Sequence, residues 1–222
     1  METSPLAPEI LFFIGPVGID RAVVTTWVIM LLLLALSAVA MRHGRARAGA
    51  LQSAFEILVD SISKQIEEVM RRDPWPFMPL LGTLFIFLTV ANMAAIIPGG
   101  KPPTSHLETP AALAVIVFFS VHYYGIKTKG LRRYLRHYLE PNPFMLPLTV
   151  LSELTRIFSL MVRLFGNMMS HEFIIAIILF LAGLFLPIPF LLLGILVGLI
   201  QAYIFTILAA VYIGAAVGSI EA

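Results

Sequence analysis

Residues 22–41 form a run of twenty without one charged side chain, and that run limits what the whole chain can become. Twenty helical residues rise roughly 30 Å, the thickness of the hydrocarbon core of a bilayer. Further apolar runs occupy 77–97, 111–126, 148–186 and 190–218. Together they bring the 222-residue chain to 59% hydrophobic and 13% charged. A soluble domain carries about 45–50% apolar and about 25% charged residues, so a single soluble core cannot hide this surface and lipid must take it. The net charge of +2 is too small to argue for a nucleic-acid partner. No cysteine is present from which to read a redox compartment. Glu2, Glu9 and Asp20 precede the first run, where a cleaved signal would carry Lys or Arg, so no signal peptide is expected.

The segment 50–72 follows a different pattern. Leu51, Phe55, Leu58, Ile62, Ile66 and Val69 recur every three or four residues, while Glu56, Asp60, Lys64, Glu67 and Glu68 fill the other side. This is an amphipathic helix. Between two spans it is expected along the membrane surface with its apolar face in lipid. The alternative is a helix packed on another subunit. Pro74 and Pro76 end it, and Pro98-Gly99-Gly100 with Pro102-Pro103 opens a polar turn running to Thr109. A helix over 148–186 would be roughly 57 Å long against a core of about 30 Å, so it must project or lie strongly tilted. Pro187-Ile188-Pro189 is expected to end it. The fold class is therefore an all-α polytopic membrane protein. It is one domain with five transmembrane helices, an amphipathic interfacial helix and a long tilted C-terminal hairpin.

Basic residues orient it. Arg42, Arg45, Arg47, Lys64, Arg71 and Arg72 form one cluster, and Lys127, Lys129, Arg132, Arg133 and Arg136 another. The positive-inside rule assigns both to the cytoplasm. Residues 1–20 are then outside and the C-terminus inside.

The chemistry is concentrated in the long helix. Arg156, Ser159, Arg163, Asn167 and Ser170 follow at steps of three and four and share a face, which His171 and Glu172 widen. An arginine inside a span costs several kcal/mol on insertion scales and is kept for a partner or a function. No carboxylate lies three or four residues from Arg163. Its partner is either Glu153, Glu172 or backbone carbonyls within the bundle, or a group on another protein. Arginine does not give up its proton, so it suits a permanent electrostatic barrier better than a proton carrier. His171 and Glu172 read either as a proton relay or as a mutually hydrogen-bonded pair filling the bundle. Gly194 and Gly198, then Gly214 and Gly218, have the spacing of close helix contacts.

The stretch Ser159-Leu160-Met161-Val162-Arg163-Leu164-Phe165-Gly166-Asn167-Met168 resembles the signature of subunit a of F-type ATP synthases. Gln201-Ala202-Tyr203-Ile204-Phe205 resembles that family's second signature, and Asn92 shortly before Pro98 a third feature. The resemblance covers about 51–220. It implies a stator subunit with two offset half-channels that exchange ions with a rotating c-ring. Arg163 is then the essential arginine facing the ring carboxylates. Asn167 and Gln201 are the polar residues near it, and His171 and Glu172, with Ser170, belong to the outer half-channel. Some members carry a His seven residues before the Gln and a small residue where this chain has His171. Here Gly194 stands at the first of those positions, so His171 is expected to supply the imidazole from the facing helix. Many members carry a Glu fourteen residues before the arginine. This chain has Thr149 there, and Glu153, one turn later, is the candidate for the inner half-channel. The implied partners are the c-ring, the peripheral-stalk subunit b, the F1 head indirectly and the lipid of a bacterial plasma membrane. No cofactor or metal is implied.

Rival classes are weaker. His171-Glu172 invites a zinc-protease reading, but the second His of that motif is replaced by Ile175. There is no Walker-type loop, so this chain does not itself hydrolyse ATP. A secondary transporter or channel would be expected to show paired internal repeats and broken helices. The short outer loop leaves a sodium-pumping branch of the same family as the runner-up, since the ion site is set on the ring.

Overall fold

The computed structural model describes residues 10–14, 17–42, 50–96, 102–134, 146–183 and 187–218. His43, Arg45, Arg47, the Pro98-Gly99-Gly100 turn, Lys101, Arg136 and the turn at 184–186 lie outside them.

Two short strands, β1 (Ile10–Ile14) and β2 (Val17–Asp20), pair antiparallel with Phe13 opposite Gly18. The sequence reading missed this ribbon. Its available signal was an apolar five-residue run followed at once by the turn formers Gly15 and Pro16. A two-stranded ribbon is marginal alone, and this one leads directly into α1 (Arg21–Arg42), where Asp20 Oδ1 accepts the Arg21 backbone N–H at 2.6 Å. Ala22 and Ile29 of α1 are buried, whereas Trp27, Val28, Leu31 and Leu34 point outward. That is the distribution a lipid-facing helix requires.

Helix α2 (Ala50–Met70) stops two residues short of the expected end because Arg71 turns left-handed at φ 51°. Helix α3 (Met78–Met93) is shorter than the expected 77–97 span. After Met93 the backbone tightens into a 3₁₀ turn, Ala94–Ile96, and the Ala94 N–H turns to the Val90 and Asn92 carbonyls. A second 3₁₀ turn, Pro103–Ser105, precedes α4 (Glu108–Lys129), which outruns 111–126 at both ends. Pro110 fits its first turn, where no N–H partner is needed, and Gly130 closes it at φ 79° by donating to the Ile126 carbonyl at 2.8 Å.

The last two helices are α5 (Leu146–Ala182) and α6 (Pro187–Val217). At 37 residues α5 is roughly 55 Å long and ends where Gly183 takes φ 71°. Pro187 and Pro189, expected only to break α5, instead occupy the first turn of α6, which tolerates them. Among the described residues four helices, α1, α4, α5 and α6, are long and apolar enough to cross a membrane; α3 is apolar but shorter, at 16 residues.

Helix α6 is the centre of the bundle. It packs against α2, α3, α4 and α5, and Ala202, Phe205, Ala209, Ala210 and Ile213 are fully enclosed. Small side chains every three to four residues let neighbouring backbones approach. Helix α5 is peripheral and buries one narrow stripe, Leu160, Leu164 and Met168. The apolar face of α2 differs from the expectation. Ile62, Ile66 and Met70 are buried within the chain's own core, and Tyr203 of α6 donates to Gln65 at 2.6 Å. A face with Ile66 and Met70 at zero exposure is committed to protein rather than to lipid. Ile57, nearer its start, remains 68% exposed.

Candidate functional site

The buried stripe of α5 fixes the direction of its polar one. With Leu160, Leu164 and Met168 turned inward, Arg163 sits half-buried at the edge of the contact with α6, and Asn167 and Ser170 are exposed. Among the described residues Arg163 makes no hydrogen bond and no ion pair. Neither intramolecular carboxylate reaches it. Glu153 Oε2 instead faces His122 Nε2 of α4 at 3.4 Å. Glu172 Oε1 is buried without a hydrogen-bond partner among the described residues. Arg156, two turns closer to Glu153, lies over the Tyr212 ring of α6 at 5.5 Å. Gly166 adds no side chain near Arg163, and a Cβ built there would meet nothing.

Across the seam, Asn167 Nδ2 donates to Gln201 Oε1 at 2.7 Å. Gln201 is buried, and its Nε2 has no partner among the described residues. A buried amide half-satisfied in this way leaves a donor ready for water or a ligand oxygen. Three turns along α6, His171 Nε2 lies 2.9 Å from the Phe190 carbonyl oxygen. A carbonyl only accepts, so Nε2 carries the proton. The imidazole rests directly on Gly194: an added Cβ at 194 would collide with its Nε2, Cε1 and Cδ2 atoms. No hydrogen bond joins His171 to Glu172, so the two are neighbours on α5 rather than a mutual pair.

Several polar residues of this region were not singled out in the sequence. His122 is one; its signal was a titratable side chain in the apolar run 111–126. Asn92 was, but its partners were not: Nδ2 donates to the Gly198 carbonyl at 2.8 Å, and Oδ1 accepts the Thr104 hydroxyl at 2.7 Å. Near the start of α1, His106 Nδ1 lies 3.4 Å from Asp20 Oδ2. Partners that come from distant segments leave no trace in local spacing.

Residues 23–214 match the family model described as ATP synthase A chain. The chain belongs to that family. It is 59% identical over 220 residues to "ATP synthase subunit a 2" of Bradyrhizobium sp. strain BTAi1, covering 99% of both chains. It is 47% identical over 214 residues to "ATP synthase subunit a 2" of Pelobacter propionicus, covering 96% of this chain and 94% of the relative. With "ATP synthase subunit a" of Nitrosospira multiformis the identity is 46% over 215 residues, covering 95% and 86%. The matched span takes in α1 to α6, so the polar seam and the central helix both belong to the ATP synthase A chain pattern. The protein is a helical, multi-pass membrane protein of a family that serves ATP synthesis and ion transport.

Proposed function

We propose that this chain is the stator subunit of a rotary motor, and that two offset half-channels meet its c-ring on either side of Arg163. The observation that carries this reading is Arg163 itself, a fixed cation half-buried at the edge of the α5–α6 contact with no partner of its own among the described residues. Titratable groups flank it along the same helix. His171 and Glu172 stand roughly 12 Å to one side, and Glu153 roughly 15 Å to the other. A ring carboxylate enters lipid cheaply only when it is neutral or ion-loaded. It releases its ion where water or a cation stabilises the charge. Arg163 attracts the unloaded carboxylate and repels any cation attempting the direct route between the half-channels. The ion must travel round with the ring, and crossing becomes torque. Asn167 and Gln201 tether the two helices beside the arginine.

In this reading α1, α3, α4, α5 and α6 are the five spans of a bacterial inner-membrane protein, with the N-terminus outside. The ring, a peripheral-stalk subunit b and an F1 head complete the assembly. The decisive experiment is Arg163→Ala in the assembled complex, reconstituted into vesicles. ATP-driven ion uptake falls to background while the ring still co-purifies. Retained uptake overturns the proposal, as would a chain that purifies without any ring and binds a solute. Repeating the wild-type assay with a proton uncoupler identifies the ion: uptake is abolished if protons are coupled and stimulated if sodium is.

A further inference from the structure

We infer that His122 is a further residue of the ion path: with Glu153 it forms a site that holds one proton, between α4 and α5 and off the face that bears Arg163. The inference rests on the half-channel reading above and adds to it a residue and a protonation state.

The hydrogen-bond pattern carries the argument. His122 Nδ1 lies 2.9 Å from the carbonyl oxygen of Phe118, one turn back on α4. That oxygen can only accept, so Nδ1 carries a proton and Nε2 is the nitrogen turned toward Glu153. Nε2 faces Glu153 Oε2 at 3.4 Å. With the imidazole neutral and the carboxylate ionised, a lone pair would confront an anion. One added proton removes the conflict, whether it sits on Nε2 as an imidazolium facing a carboxylate or on Oε2 as a carboxylic acid facing an imidazole. The geometry therefore suits one proton held between Nε2 and Oε2. Transfer is balanced within the pair: the proton that leaves Nε2 arrives at Oε2, and the reverse.

The surroundings suit a relay. The Phe118 ring stacks tilted on the imidazole at 4.3 Å and Tyr134 meets its edge at 6.0 Å, which fixes the ring plane. The two side chains keep 29% and 20% of their surface open, so the pair is enclosed but not sealed. Of the other ionisable groups on the packed elements, Lys127 lies over the Tyr123 ring, Arg156 lies over the Tyr212 ring, and Tyr134 touches the imidazole; Glu108, Tyr123, Tyr124 and Lys129 on α4 and Arg163, His171 and Glu172 on α5 complete the set on the two helices. Arg163 and Glu153 are ten residues apart, which turns them about 80° from each other around α5. Glu153 thus serves the arginine's face from within the chain, not from the ring surface.

His122→Gln keeps a polar group opposite Glu153 but cannot carry the proton. Glu153→Gln does the same from the other side. In vesicles, each variant is expected to lower ATP-driven uptake by about 100-fold, the low end of what a positioned acid–base group contributes. Each also removes the same limb from the pH profile, and the double variant falls no further than either single one. A purely structural strap would lower yield without moving the pH profile, so an unchanged profile overturns the inference. So does failure of both variants to assemble with the ring, which would assign the pair to structure. Arg163→Ala is measured alongside. If that variant still pumps, the half-channel reading falls. If it is silent while His122→Gln keeps the wild-type profile, only the inference about His122 falls.

Discussion

Asn92 uses both ends of its amide inside the bundle, joining the Gly198 backbone of α6 to the Thr104 side chain of the outer turn. All three are enclosed. Water cannot replace a lost partner there, so Asn92→Ala leaves the Thr104 hydroxyl stranded and should destabilise the chain by about 1–3 kcal/mol in detergent denaturation. Asn92→Asp should do no better, because a carboxylate oxygen would then face the Gly198 carbonyl, acceptor against acceptor. Equal stability of wild type and Asn92→Ala would mean that these bonds add nothing. Arg163 and Asn167 were legible in the sequence as part of a polar stripe on an apolar helix, and Asn92 and Gln201 through the family motifs they resemble. Which atoms they address was not. Thr104 lies in what reads as an ordinary polar turn, and Gly198 contributes only its backbone.

Among the helices, existence was easier to read than ends. The uncharged run of α1 and the long polar-striped run of α5 were both visible as helices. The end of α3 was not, since the tightening into a 3₁₀ turn after Met93 depends on backbone geometry that the apolar pattern does not encode. Pro187 and Pro189 read as a break, yet a first helical turn accommodates them equally well. The hairpin of α5 and α6 is keyed by the His171 ring lying in the space that Gly194 leaves. Gly194→Ala should therefore push the imidazole off the Phe190 carbonyl and cost about 1–3 kcal/mol by overpacking. In a His171→Ala background the same substitution should fall within about 0.5 kcal/mol of neutral, so a double-mutant cycle reads the contact directly. Additive effects would show that the two positions do not touch in the folded protein.

At the scale of the whole molecule, hydropathy identified the membrane class, but not which helix lies at the centre. Helix α6 is the hub and α5 the rim, although both look like long apolar spans. Helix α2 is the clearest case, because an amphipathic pattern is equally satisfied by lipid and by protein. Its packing on the chain's own core predicts unequal responses along one face. Ile66→Ala should cost about 2–5 kcal/mol through the cavity it opens. Ile57→Ala, at an exposed site, should change stability by less than about 0.5 kcal/mol. Similar small effects at both sites would return α2 to the membrane surface. The seating of His171 on Gly194 has one more consequence, for the history of the chain. A lineage that moves the imidazole to α6 cannot begin at position 194, because the space is taken. It must first lose His171 and pass through an intermediate with neither ring, or change both positions together. The occupancy of one small gap thus orders the steps by which relatives can diverge.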